Sequence, residues 1–505
     1  MKNFLQKLFV LIFTLIIAVG CVACGGGSNE KYDSKDPQTL DVYYWSSGNG
    51  KEYMAKILEA FKAKNPDINI NYTPSSSVEG KDIYQDPDNV TTDIYFTTMS
   101  SYMARTQFLE PLNSVLEMET DGVKVSSRFD ESTINSMKAS DGNIYSLPWS
   151  NSVTGFVYNA TLFEEKGWKV PKTTDEFVTL CANIFSAGLT PFIQYADYWD
   201  YPILTWMAQY AGVENFNKYW KGVYTDENGV EKFNDISLFR DNEAKEQALK
   251  VLPDLLSPKG YTVTGTNSLS HTIAQTKFLA GQGVIMPNGS WMENEMKNSS
   301  SKYTFKMMKY PVISALGEEL GIDEDQLRAL IAYVDGDATA DEIAYAESVD
   351  TVILERVREA RNIVYTERLQ YHVLIPKNSP AKEAAKKLLA FYYSDEALEI
   401  AETTCGMILP VTYRDGTTRK HPDDDTAFLK SCSDIIKLNG KVIERTYSVP
   451  ILYNTGIEKF WHYDAVRKFT YISKDTPVTS YQKFMEDENK YWTNNWNDIL
   501  TDAGL

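Results

Sequence analysis

From residue 40 onward the chain alternates between stretches whose apolar residues recur at every second position and stretches where they recur at every third or fourth. Leu40, Val42 and Tyr44 alternate as a strand does. Met54, Ile57, Leu58 and Phe61 mark one face of a helix that ends before Pro66, and Ile68 to Tyr72 and Asp93 to Phe96 return to strand. A period of two sends side chains to alternate faces of a sheet, and a period near 3.6 gathers them on one stripe of a helix. Strands separated by helices of this length predict an α/β fold, a mostly parallel sheet flanked by helices. The pattern recurs at Gly155 to Asn159 and Gly283 to Met286, both strand-like, and at an amphipathic helix from Ala381 to Tyr393. Thr173-Thr-Asp-Glu176 has the form of a capping box opening a helix. At 505 residues the chain exceeds what one core organises, about 250–300 residues, so more than one folding unit is expected.

The first residues read as a targeting segment. Lys2 and Lys7 precede an apolar stretch from Leu8 to Val19, interrupted only by Thr14. That stretch falls short of the roughly 20 residues that cross a hydrocarbon core, and small residues follow it, as in a secretory signal. Cys21-Val-Ala-Cys24-Gly-Gly-Gly-Ser-Asn-Glu resembles a bacterial lipoprotein processing site. The residues before Cys21 favour it, the tail after Cys24 favours that one, and either would carry the lipid. A two-chain anchor gives stable attachment where one chain does not. Residues 1–24 are thus expected as signal and residues 25–37 as a flexible tether, with the rest on the extracytoplasmic face of the cell membrane. The remaining Cys181, Cys405 and Cys432 are too few for a disulfide scaffold and read as buried thiols.

Composition and motifs exclude several functions. A net charge of −19 argues against nucleic acid, whose phosphates recruit Lys and Arg, and against anionic lipid surfaces. The sequence has no Gly-x-Gly-x-x-Gly, P-loop, His-Glu-x-x-His or Gly-x-Ser-x-Gly motif, and its four histidines are far apart. Asp226-Glu-Asn-Gly229 and Asp335-Gly-Asp337 lack the Gly and Glu spacing of a calcium loop, and a hairpin turn and a helix N-cap are expected there instead. No catalytic residue, metal or cofactor is therefore assigned. With 69 acidic residues, a carboxylate pair for glycoside hydrolysis is not diagnostic either way.

Four ordered stretches resemble the family 1 extracellular solute-binding proteins, the group that includes maltose-binding protein. They are Ile57 to Ile70; Asp141 to Trp149 continuing through Gly155 to Asn159 and Leu162 to Gly167; Phe278 to Trp291; and Ile375 to Ser379 leading into Ala397. The resemblance implies a two-lobed periplasmic-binding-protein-like fold, each lobe a mostly parallel sheet flanked by helices, with the ligand cleft at the hinge. The lobes are expected at 38–148 with 308–447, and at 149–307 with 448–505. The acidic, Ala-rich segment at about 316–368 reads as a helical elaboration of the first lobe. The resemblance further implies a monomeric sugar-capturing lipoprotein that hands its ligand to the permease subunits of an ABC importer. A binder of another small solute, such as a polyol or peptide, and a surface glycoside-processing enzyme are the competing readings.

Ligands in open α/β sheets bind beyond the carboxyl ends of strands. Trp45 ends the first strand and is followed by Ser46 and Asn49. Trp291 follows Asn288 after another strand, where the family places a sugar-stacking tryptophan. Tyr198 and Trp199 stand in an aromatic loop, and Trp461 in a late helix. Aromatic residues make up 13% of the chain. Flat rings cover the C–H faces of a pyranose, and Ser and Asn satisfy its hydroxyls.

Overall fold

The computed structural model describes residues 36–80, 82–98, 106–139, 141–225, 231–233, 235–367, 370–436, 442–444, 466 and 481–503. The signal segment with Cys21 and Cys24, the turn at Asp226, and Trp461 lie outside the described residues. Among the described residues no helix is long and apolar enough to cross a membrane.

Eight strands position the site: β1 (Thr39–Trp45), β2 (Asn69–Ser75), β3 (Ile94–Thr98), β4 (Leu147–Pro148), β5 (Thr154–Asn159), β6 (Ile285–Gly289), β7 (Phe305–Met308) and β8 (Tyr371–Leu374). The first sheet has the order β2-β1-β3-β8-β4. Its β1 pairs in parallel with β2 and β3, while β8 runs antiparallel to β3 and β4. The crossover between β1 and β2 is helix α1 (Glu52–Lys64), which has Glu52 in its first turn and Lys62 and Lys64 in its last, complementing the helix dipole. Its Met54, Ile57, Leu58 and Phe61 are buried on the sheet with Leu40, Val42 and Tyr44 of β1. The expected periodicities thus form one core.

The second sheet has the order β6-β5-β7. Both outer strands run antiparallel to β5, so the mostly parallel sheet expected in this lobe is not what the ladders form. The reason is connectivity. Chain leaving the first lobe enters the second through β5, whose first residue Thr154 lies opposite Gly289, the last residue of β6. Its direction is therefore opposite to that of the strands that end at the junction. Alternation along β5 divides the burial, with Phe156 facing a core with Trp199 and Trp206, and Val157 facing Met286, Met307 and Phe428 on the other side.

The second lobe is further organised by α2 (Thr174–Ser186), α3 (Asp200–Ala211), α4 (His271–Leu279) and the short α5 (Met292–Met296). Thr173 caps α2 by accepting from the Glu176 amide at 3.3 Å, but the Glu176 carboxylate accepts from the Lys172 amide instead of closing a reciprocal box. Asp335-Gly336 closes a helix rather than opening one: Gly336 is its left-handed C-cap. The Asp335 carboxylate receives Arg361 at 2.8 Å.

Two chain segments pack elsewhere than the sequence suggested. The helical elaboration, Ala315–Leu320, Glu324–Asp335, Ala340–Ser348 and Thr351–Asn362, was expected on the first lobe. Its Leu316, Leu327, Leu330, Ile331 and Val357 instead join Phe156 and Trp206 in the second core. Likewise Phe428 and Cys432 of Ala427–Ile436 pack on the outer face of the second sheet. Helical periodicity shows that a face is apolar but not which sheet receives it. The late helix Tyr481–Ala503 contributes Phe484, Met485, Trp492 and Ile499 to the second core. Cys181, Cys405 and Cys432 are buried free thiols, and burial pushes the Cys405 thiol up to about 12.

Candidate functional site

Both lobes bring an aromatic group to the place where they meet. At the end of β1, Trp45 is half-buried and stacked on Tyr371 of β8, with ring centroids 6.0 Å apart and planes 28° apart. Its indole N–H donates to the Ser76 carbonyl at 3.2 Å. Tyr371 is backed edge-on by buried Trp149 at 5.1 Å, and the Trp149 N–H is satisfied by the Thr97 carbonyl at 2.8 Å. From the second lobe, Trp291 begins α5 and meets Tyr198 and Tyr201 edge-on at 5.4 and 5.9 Å.

The loop after β1 closes on α5. Asn294 donates to the Gly48 carbonyl at 2.7 Å, and Lys297 lies 3.8 Å from Glu52. Gly48 has a φ of +79°, and a Cβ there would sit 3.5 Å from the Cβ of Trp291. Asn49 is buried and donates to the Ser150 hydroxyl at 3.1 Å, while Ser46 donates to the Ser75 carbonyl at 3.2 Å and fastens the ends of β1 and β2. These two polar residues therefore shape the junction through contacts within the protein.

Carboxylates complete the arrangement. Burial pushes the Tyr198 hydroxyl well above its usual range, and the charges of Glu295 and Glu367 push it further. Tyr371 is displaced in the same direction, again first by burial and then by Glu367, with Glu295 adding to the shift. Tyrosines from both lobes thus feel the same two carboxylates. Glu295 itself is raised by burial, against the hydrogen bond from Gln275 and the proximity of His271. Among the described residues no cluster of three His, Cys, Asp or Glu is arranged to hold a metal ion.

Two of the expected site residues are core residues. Trp199 is fully buried against Phe156, Phe192 and Trp206, with its N–H donated to Gln194. Asn288 is also fully buried. Its side-chain oxygen accepts from the Gly289 amide at 2.8 Å, and its amide nitrogen points at the sulfurs of Met286 and Met292. Trp199 is walled in by rings that include the distant Phe156, and Asn288 by the neighbouring Met286 and Met292. Conversely, Tyr371, Tyr201, Glu295 and Glu367 were not anticipated. Only Glu295 had a local signal: it lies one helical turn after Trp291, and its amide donates to the Trp291 carbonyl at 3.1 Å.

The junction is closed in this conformation, with Trp291 only 7% exposed. Two sizeable cavities lie elsewhere, one of about 330 Å³ beside Arg419 and Ser433 and one of about 340 Å³ beside Tyr210 and Phe216. A ligand at the aromatic groups therefore requires the lobes to part. Gly289 is what lets Trp291 fold inward, since a Cβ at 289 would lie 2.0 Å from the indole ring. Gly289→Ala is expected to displace the ring and lower ligand affinity about tenfold, the overpacking cost being of order 1–3 kcal/mol. In a Trp291→Ala background the same change should be nearly neutral, which a calorimetric double-mutant cycle would show.

Comparison with known proteins agrees with this architecture. Residues 44–399 match the family model for bacterial extracellular solute-binding proteins. A multiple sugar-binding protein of Streptococcus mutans is 23% identical over 310 residues, covering 61% of this chain and 70% of that one. A diacetylchitobiose-binding protein of Streptomyces coelicolor is 27% identical over 192 residues, 36% of each chain. Among solved structures, the raffinose complex of the solute-binding protein RafE superposes with a TM-score of 0.59 at 15% identity, over 90% of this chain and 99% of that one. A chitin oligosaccharide-binding protein gives 0.56 at 17% identity, over 92% and 99%. At these identities the structures establish likeness of fold, while the family match spans well over half of the sequence. With its two cores, crossover strand and interlobe aromatic junction, the chain belongs to the bacterial extracellular solute-binding protein family.

Proposed function

We propose that this protein captures a neutral sugar, an oligosaccharide in particular, between its lobes and delivers it unaltered to the permease subunits of an ABC importer. The observation that carries this reading is the convergence of Trp45 with Tyr371 and Trp291 with Tyr198 on one interlobe junction. Opposed aromatic groups suit the two apolar faces of a sugar ring, and nearby carboxylates suit its hydroxyls. The named relatives bind sugars, which supports the same substrate class. Ligand that touches both lobes gains contacts only in the closed form, so it shifts the population toward closure, the form a permease would recognise. A micromolar affinity corresponds to about −8 kcal/mol, within reach of stacked rings and paired hydroxyls.

Titration with raffinose, xylotriose and diacetylchitobiose, followed by chromatography of the recovered sugar, tests the proposal. Saturable binding of at least one with no product released is the expected result, and cleavage products would instead make the protein an enzyme. The same reading includes a lipid anchor at Cys21 or Cys24. The intact mass of protein extracted from membranes should show a diacylglyceryl-modified cysteine at the mature N-terminus, and an unmodified, freely secreted chain would refute the anchor.

A further inference from the structure

Glu295 is the acidic group most closely tied to the stacking tryptophan. It follows Trp291 by one turn of α5, so its carboxylate projects on the same side of the helix as the indole. Two residues of α4 hold it in place. Fully buried Gln275 donates to Oε2 at 2.7 Å, and His271 Nε2 lies 4.0 Å from Oε1. His271 is in turn steadied edge-on by the Tyr195 ring at 6.0 Å. The Glu295 side chain is 17% exposed, and among the described residues no Lys or Arg lies within ion-pair distance of it. Withdrawing a carboxylate from water without a cationic partner of that kind costs stability. Gln275 occupies Oε2, while Oε1, with His271 at 4.0 Å and beyond hydrogen-bond length, keeps its acceptor capacity. Such a fixed, partly desolvated acceptor beside a stacking face fits a ligand that brings its own hydroxyl donors.

Resting on the sugar-binding reading above, we infer that Glu295 sets the charge specificity of the cleft: it accepts hydrogen bonds from hydroxyls of a neutral sugar lying on Trp291 and repels sugars that carry a carboxylate. Hydrogen bonds to a charged acceptor are the strong ones and lose most when the charge is removed. An anionic ring brought to the same position would place like charges together in a poorly screened site.

The test compares the full chain with Glu295→Gln and Glu295→Asp by calorimetry against raffinose, xylotriose, diacetylchitobiose and trigalacturonate, with melting curves to show that each variant is folded. The wild-type protein should bind at least one neutral sugar and leave trigalacturonate unbound. Glu295→Gln should weaken the neutral sugar tenfold to a hundredfold at an unchanged or raised melting temperature, and Glu295→Asp, which shortens the reach, should also weaken it. A neutral sugar held equally well by wild type and Glu295→Gln would overturn the inference while leaving sugar capture intact. So would trigalacturonate binding to the wild type as tightly as the neutral sugars. If no sugar binds the wild type, the sugar-capture reading fails first and this inference with it.

Discussion

Trp291→Ala is expected to weaken sugar binding thirtyfold or more. Tryptophans central to an interface commonly cost 2 kcal/mol or more on truncation, and that energy is a factor of about 30 in affinity. Here the indole supplies a proposed stacking face, and its own Cβ lies against the Gly48 loop of the first lobe. It also packs on Tyr198 and Tyr201, so the alanine leaves a hole in the second core, and a stability loss of about 3 kcal/mol accompanies the loss of binding. Trp291→Phe separates the two effects by keeping a flat face and most of the volume, and it should retain more affinity than the alanine. Trp45→Ala is the control from the other lobe: its ring is half-buried, so binding should fall with little change in unfolding free energy. Full affinity in Trp291→Ala would place the ligand somewhere other than this junction.

That Trp45 and Trp291 stand at the junction while Trp199 lies in the core follows from their surroundings. A tryptophan at the carboxyl end of a strand, followed by small polar residues or by a helix start, is positioned by its immediate neighbours, and both β1 and β6 end at the junction. Trp199 sits in an equally aromatic stretch, but its orientation is decided by the distant Phe156 as well as by the nearby Phe192 and Trp206. Asn288 differs, being turned inward by Met286 and Met292, its own near neighbours in sequence. Tyr371 is the opposite case. It reaches Trp45 because β8 pairs antiparallel with β3, with Tyr371 opposite Thr98, a register set by residues 273 positions apart. The alternating strands and helices of the first lobe were legible because their periods are local. The acceptor sheet for the helices at 315–362 was not, because an amphipathic face is compatible with any apolar surface of adequate size.

A second large effect is expected far from the cleft, at Arg128. Its side chain is fully buried and donates to Asp395 at 2.7 Å and to Asp121 at 2.8 Å, with the carbonyls of Thr412 and Thr120 at 3.4 Å. The arginine thus ties the start of helix Asp395–Cys405 and the segment around Thr412 to the hairpin Glu119–Lys124. Arg128→Met keeps volume but removes the buried cation from Asp121 and Asp395, leaving Asp395 only the exposed Arg414 at 3.2 Å and Lys420 at 3.8 Å as cationic partners. Breaking a buried pair from one side costs up to about 3–5 kcal/mol. The pH dependence identifies the cause. Burial alone would raise Asp395, but the hydrogen bond from Arg128, the Arg414 amide and the charge of Arg128 outweigh it, so its pKa is below the ordinary carboxylate value. A carboxylate depressed in the folded state contributes stability above its unfolded pKa of about 4, and that contribution disappears as pH falls through the lower folded value. Denaturant unfolding should therefore show the full penalty of Arg128→Met at pH 7 and a shrinking penalty toward pH 4 and below, where the carboxylates take up protons. Sugar affinity of the folded variant should stay within about twofold of wild type, because every contact of Arg128 lies within the first lobe. A penalty independent of pH would mean that lost packing, not the loss of the buried cation, accounts for the destabilisation.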